Sequence, residues 1–391
     1  MINFFDKALL PAGFSDVLAP DANFEALVLN RLLRCFFGHG YDRVEPPLIE
    51  FEDGLLTGIG AGLAEQTFRL MDPESQRMMA VRADITPQIA RIAQARLAKE
   101  PRPLRLSYAG QVLRVRGSQL RPERQFTQVG AELIGAAGPV ADAEVIAMAA
   151  SALIELGVAE LSCDLGLPAL VPAVSGDADP SLQAKLRQAL DRKDAAAVAG
   201  LGGELGEALT QTLAAMLSAA GPAAETLDAL GGLGLEGDAE DGRRLLADVV
   251  DRVRAARPEL KLTIDPVENR GFEYHTGVTF TFFAKGVRGE LGSGGRYAAN
   301  GDDTNDGEPA TGFTLFMDTV LRALPAPIMA SRVFLPAGTP AEEAAKLRAE
   351  GWIAVADLDQ GADAETEAKR LACSHLLDGG KIKEIGKKKK G

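Results

Sequence analysis

Cysteine, histidine and tryptophan are scarce in this chain of 391 residues, at three, three and one. Cys35, Cys163 and Cys373 are far apart and form no CxxC pair, so neither a disulfide framework nor a zinc site is indicated. His39, His275 and His375 are equally scattered, and no metal site built from several His or Cys ligands is expected. No apolar run reaches the length of a membrane span, and the start MINFFDKALLPAG lacks a basic region followed by an apolar one. These absences lead to the expectation of a cytoplasmic protein. Positive charge is also in deficit: 42 basic against 55 acidic residues give a net charge of −13. That balance disfavours a general nucleic-acid binder, although a local basic groove remains compatible with it.

The length leaves room for one large core plus a smaller unit. Residues 23–37 and 140–156 carry helical patterning, and residues 160–167 read as a strand. From 168 to 257 the chain turns rich in Ala, Gly and Leu, which predicts short helices punctuated by glycine. This insertion either packs and spaces or offers a partner surface. Strand patterning returns with KLTIDPV and GVTFTFFA, and residues 301–309 read as a polar loop. Residues 331–358 give strand, helix and strand, followed by a helix around 365–377. The run Lys387 to Lys390 reads as a solvated tail, with an acidic partner or nucleic acid as the alternative.

The most informative stretch is 104–135, LRLSYAGQVLRVRGSQLRPERQFTQVGAELIG, two alternating strands around a polar loop. Leu113 and Val115 fall on one face of the first strand, and Arg114 and Arg116 on the other. On the returning strand Phe126, Gln128, Gly130 and Glu132 share a face opposite Val129 and Leu133. Arginines facing an amide and a carboxylate make a floor for a small zwitterionic or phosphorylated ligand. An exposed hairpin with a salt-bridged polar face also fits the spacing. Arg114, Arg116, Arg121 and Arg124 together form a candidate anion-binding patch for a phosphorylated ligand or a partner's carboxylates. Thr86 before Pro87 predicts a helix start with a capping hydroxyl, over residues 87–98, turning Ile89, Ile92 and Ala93 inward. GIGAG, from Gly58 to Gly62, lacks the GK[ST] ending of a phosphate loop.

Five segments in chain order resemble signatures of the class II aminoacyl-tRNA synthetases, in the version carried by histidyl-tRNA synthetase. GYDRVEPPLIEFED (40–53) resembles the first signature and the hairpin the second. VRADITPQIAR (81–91) is similar to the amino-acid-binding turn, RGFEYHTG (270–277) to the histidine motif, and GSGGRY (292–297) to a glycine-rich strand entry. The resemblance runs from Leu10 to about Leu324. It implies an α+β fold: a core of residues 1–325 with an antiparallel sheet flanked by helices and a helical insertion at about 168–257. A shortened α/β remnant of an anticodon-binding domain would follow at 330–391. It also implies a homodimer paired near Pro46 and Pro47.

The same resemblance implies a histidine pocket. Asp84, Thr86 and Gln128 match the positions that receive the amino group, Glu132 the one that meets the imidazole, and Arg270 the one that contacts the carboxylate. Tyr274 and His275 fall where the family carries two adjacent tyrosines, and an imidazole there would make the contact pH-sensitive. Each has a structural alternative: helix capping for Asp84 and Thr86, a solvated or salt-bridged strand carboxylate for Glu132, an ion pair with Asp265 or Glu268 for Arg270, and a core histidine satisfied by backbone for His275.

Three departures shape the functional expectation. Arg114 stands where the family's arginine grips the α-phosphate of ATP, but Arg116 reverses the acidic charge found two places on. The third signature resembles TGFTLFMDTVL (311–321), and its phosphate-directed arginine falls on Thr319. A hydroxyl cannot replace a guanidinium fork, and losing one preorganised contact typically costs ~10²–10³ in rate. The tail, too, is shorter than the family's anticodon-binding domain. Together these features resemble the regulatory subunits of ATP phosphoribosyltransferase, synthetase paralogues that have lost aminoacylation, and RADITPQIAR is close to their wording. That resemblance implies a non-catalytic protein without a cofactor, partnering the short-form catalytic subunit and responding to histidine. It would act as a homodimer within a larger hetero-oligomer, with no role for tRNA or membrane. The alternatives are a divergent histidyl-tRNA synthetase-like ligase, supported by Arg114, Gln128, Glu132 and Arg270, and a stand-alone amino-acid sensor.

Overall fold

The computed structural model describes residues 9–118, 121–176, 179–268, 275–299, 307–326, 330–358 and 363–385. The chain divides into two units, Met1–Pro325 and Ala326–Gly391. In the first, the strands are β1 (Asp42–Arg43), β2 (Ile49–Phe51), β3 (Phe68–Met71), β4 (Met78–Val81), β5 (Leu104–Leu113) and β6 (Gln125–Ile134). After them come β7 (Leu161–Gly166), β8 (Gly221–Pro222), β9 (Lys261–Ile264), β10 (His275–Ala284), β11 (Gly292–Ala299) and β12 (Glu308–Phe316). Nine form one sheet in the order β1-β5-β6-β12-β11-β10-β7-β9-β8, and β2-β4-β3 form a second. Within the large sheet, among the described residues, only the β1–β5 and β7–β9 pairings are parallel.

Period-two burial divides β6 between two cores. Val129, Ala131 and Leu133 face a layer containing the helices Asp21–Gly38 and Pro139–Leu156. Phe126 and Ile134 face the helix Thr86–Ala95, which buries Ile89 and Ala93 against them. Val28, Leu32 and Phe36, four residues apart, make the buried stripe of Asp21–Gly38. Phe36 meets Phe313 of β12 edge to face at 5.4 Å. Pro139–Leu156 starts on a proline and stops at Gly157, whose φ of 102° is a conformation that glycine adopts without strain. Arg296 of β11 ties this helix to the sheet, donating to the buried Asp142 at 3.1 Å and to the carbonyls of Ala136 and Gly138.

The insertion is a run of helices from Leu170–Ser175 to Gly237–Ala256. Asp179 caps Pro180–Asp191 and Asp194 caps Ala195–Gly200 through their carboxylates. On the small sheet, the pairing register places Ile49, Phe51, Phe68, Leu70, Met79 and Val81 on one face. Ile49 and Phe51 on it are exposed.

In the second unit, β13 (Arg332–Leu335), β14 (Ile353–Ala356), β15 (His375–Asp378) and β16 (Lys381–Glu384) form a sheet in the order β14-β13-β15-β16. The helix expected around 365–377 stops at Arg370. The rest becomes β15, which turns at Gly379 and Gly380, both at positive φ, into β16. Val333 and Leu335 pack with Ala344 and Leu347 of one helix, while Phe334 packs with Ala368 of the other. The run Lys387 to Lys390 lies outside the described residues. No helix among the described residues is long and apolar enough to cross a membrane.

Candidate functional site: a cleft under the helix Thr86–Ala95

A cleft with about 810 Å³ of atom-free space, counting its open mouth, lies over the large sheet. Ile59, Leu63 and Gln66 of the 3₁₀ segment Gly58–Gln66 line one part, and Asp84, Thr86 and Pro87 another. Arg114, His275, Ser293, Gly294, Thr314 and Phe316 complete the lining. Among the glycines of residues 58–62, Gly60 has a packing reason: a Cβ there would lie 1.9 Å from the Leu55 carbonyl oxygen.

Asp84, Thr86, Gln128 and Glu132 are brought together, but not all face the cleft. Gln128 and Glu132 are fully buried on β6, behind the lining. Gln128 donates to Asp84 at 2.8 Å and accepts from the Ile85 backbone N–H at 3.1 Å. The other carboxylate oxygen of Asp84 accepts from the Thr86 N–H at 2.9 Å. Gln128 therefore fixes the orientation of Asp84, and Asp84 is the member of this pair that lines the cleft.

Glu132 accepts from Tyr297 at 2.9 Å, Thr86 at 3.0 Å and Tyr108 at 3.3 Å. Burial nevertheless dominates those three donors and raises the carboxyl to about 8. The Thr86 hydroxyl does not cap its helix, which begins at Thr86 itself and has no side-chain cap. The hydroxyl turns inward instead because a buried carboxylate must collect donors. A side chain at Gly312 would meet Glu132 Oε2 at 1.7 Å, so glycine is required there.

Beneath this layer Arg82, also buried, donates to the carbonyls of Gln111 at 2.8 Å and Pro46 at 2.9 Å. Gln88 donates to the carbonyl of Pro47 and to Glu50, both at 2.7 Å. The turn 81–91 and the Pro46-Pro47 segment are thus locked together. A Cβ at Gly110 would strike Arg82 Nη2 at 2.2 Å.

The four arginines do not form one open anion patch. The strand β5 ends at Leu113, before Arg114 and Arg116, and the residues paired with Gln128 and Glu132 are Gly110 and Leu106. Arg114 lines the cleft above the Phe126 ring. Arg116 is half-buried and is not part of the cleft lining. Arg124 donates to the carbonyls of Arg114 and Ala12, both at 3.2 Å, anchoring the N-terminal segment. Arg121 is buried and ion-paired with Asp318 at 3.2 Å and Glu290 at 3.4 Å. Its guanidinium carbon lies 3.8 Å from the Phe316 ring centroid and 5.0 Å from that of Phe126. Arg121 also donates to Thr319 Oγ1 at 3.4 Å, and Arg322 does so at 3.1 Å.

The family model described as "Histidyl-tRNA synthetase" matches residues 13–320. An ATP phosphoribosyltransferase regulatory subunit from Rhodospirillum centenum is 58% identical over 97% of this chain and 96% of its own length. One from Paramagnetospirillum magneticum is 56% identical over 97% and 98%. The chain belongs to the ATP phosphoribosyltransferase regulatory subunit family. A crystal structure titled as an ATP phosphoribosyltransferase regulatory subunit/histidyl-tRNA synthetase from Bacillus halodurans superposes with a TM-score of 0.80. It is 25% identical, covering 93% of this chain and 96% of that one. The class II synthetase-like architecture is therefore shared.

For this regulatory-subunit family member, Arg270 and Tyr274 lie outside the described residues. Of the partners considered for Arg270, Asp265 accepts from Lys193 of the insertion and Glu268 lies 3.9 Å from the same ammonium. His275 opens β10, pairs in register with Tyr297 and lines the cleft. Sequence reading missed Tyr108, Tyr297 and Arg82, which organise the buried layer. The available signal was that a carboxylate on the buried face of a strand needs neighbouring donors, and that tyrosine is rare here, at four residues. Asp318 and Glu290 were missed as well, since pairing across distant loops leaves no local pattern.

Proposed function

We propose that this chain is a non-catalytic subunit that activates a separate short-form ATP phosphoribosyltransferase and conveys its inhibition by histidine in the first step of histidine biosynthesis. The names of its relatives support the regulatory role. The observation that carries the non-catalytic reading is the Arg121 network. Thr319, at the place of the phosphate-directed arginine, is surrounded by guanidinium groups whose charge Asp318 and Glu290 neutralise. A positive group already paired and buried is a poor clamp for a triphosphate.

Histidine would occupy the cleft with its ammonium at Asp84 and Thr86, next to His275, while Gln128 and Glu132 hold those residues in place. Arg114 would face its carboxylate or another anion. Arg270 and Tyr274 remain assigned to this pocket by resemblance alone. Linkage between this cleft and the catalytic partner would supply the coupling free energy of feedback. The apolar face of the β2-β4-β3 sheet supports a homodimer within the larger assembly. Size-exclusion chromatography with light scattering on a mixture with the short catalytic subunit tests this reading. A hetero-oligomer larger than either component is expected; two unchanged peaks would refute it.

A further inference from the structure

A second cavity sits at the root of the insertion and shares no residue with the cleft. It has about 430 Å³ of atom-free space, counting its mouth, between the helices Leu170–Ser175 and Pro180–Asp191 and the turn containing Val267. Its apolar lining comes from Val171, Leu186, Leu190 and Val267, and its charges from Arg187 and Asp191.

Those two charges sit one helical turn apart, yet they make no ion pair with each other. Arginine before aspartate is the weaker order for such a pair, and Asp191 occupies the last turn, where the helix end is already negative. Asp191 Oδ1 is buried without a hydrogen-bond partner. The nearby Lys193 is committed to Asp265 and Glu268. Arg187 is exposed and has no hydrogen bond or ion pair among the described residues. A buried carboxylate oxygen lacking a donor, a free guanidinium on the same helix face and an apolar wall between elements make a complementary set. The carboxylate favours a cation, the guanidinium a carboxylate, and the wall an apolar body.

We propose that this cavity binds a small zwitterion with an apolar body, of the α-amino-acid class, its ammonium at Asp191 and its carboxylate at Arg187. Both charged residues belong to the lining of this one cavity, and the insertion thereby becomes a ligand-binding element as well as a spacer.

Calorimetric titration of the full chain with L-leucine and L-phenylalanine tests this directly. Isoamylamine, which lacks the carboxylate, and isocaproate, which lacks the ammonium, serve as companion probes. Saturable binding of at least one amino acid is expected. It should weaken about tenfold or more in Arg187→Ala and in Asp191→Asn, as for loss of a charge-assisted hydrogen bond. Binding lost in Asp84→Ala and kept in Arg187→Ala would belong to the first cleft and overturn the proposal. Both companion probes should bind at least tenfold more weakly. Arg187 is exposed, so its variant tests the site even if Asp191→Asn folds poorly. Absence of saturable heat at millimolar amino acid would overturn the proposal. So would binding indifferent to Arg187→Ala, or isoamylamine binding as well as leucine.

Discussion

Arg121 Nε lies 3.2 Å from Asp318 Oδ2, and this largely buried pair sits beside Thr319, to which Arg121 also donates. By resemblance to the third synthetase signature, Thr319 stands where an arginine would be expected. The structure shows instead a guanidinium delivered from the loop between β5 and β6, with its charge already matched by two carboxylates.

Removing one side of that arrangement leaves buried charge behind. Arg121→Met should destabilise the chain by about 3–5 kcal/mol, the usual range for breaking a buried pair. Arg121→Met combined with Asp318→Leu should recover much of the loss. Urea unfolding of both variants measures this; a loss below about 1 kcal/mol for the single variant would mean that the pair is not structurally important.

Glu132 makes stability depend on pH. Its carboxyl is raised to about 8 in the fold from an ordinary value of 4.5. The folded state thus holds a proton that the unfolded chain has released, and stability falls as pH rises from about 4.5 through 8. Glu132→Gln removes that titration. Unfolding free energies at pH 5 and pH 8 should differ by about 3 kcal/mol less in the variant than in the parent. Equal pH slopes would show that Glu132 is ionised throughout.

Much of the fold was legible because periodicity survives packing. The helix at Pro139–Leu156 and the strand Leu161–Gly166 lie within a residue of the patterns read from sequence. The end of β5 was misjudged, since Arg114 and Arg116 continue an alternation that the backbone abandons when Arg114 and Val115 bond to the segments at Arg124 and Gln66. Residues 371–377 looked helical because Leu376 and Leu377 suit either element, and only the Gly379-Gly380 turn decides for a strand. In the candidate site, the proximity of Asp84, Thr86, Gln128 and Glu132 could be read, but not which of them faces outward. That depends on the layer order of the helix Thr86–Ala95 over β6, which no local spacing encodes.

Asp84 should carry the largest single share of ligand recognition. Asp84→Asn keeps the shape, weakens the acceptor for an ammonium and disturbs the bond from Gln128. Histidine affinity, measured by calorimetry on the complex with the catalytic subunit, should drop about tenfold or more. Affinity within twofold of the parent would place the effector elsewhere.

The apolar face of the small sheet should be covered in solution. Phe51→Glu places a charge among Ile49, Met79 and Leu70 on that face. It should shift the chain from dimer to monomer at micromolar concentration by analytical ultracentrifugation. A dimer that persists unchanged would assign the pairing to another surface.

The most direct test is the turnover of the short-form ATP phosphoribosyltransferase with and without this chain, followed as phosphoribosyl pyrophosphate is consumed. Turnover should rise at least tenfold on adding the purified chain, and histidine should suppress the gain. A catalytic subunit equally active alone, with this chain itself exchanging pyrophosphate into ATP in the presence of an amino acid, would contradict the account and identify a ligase.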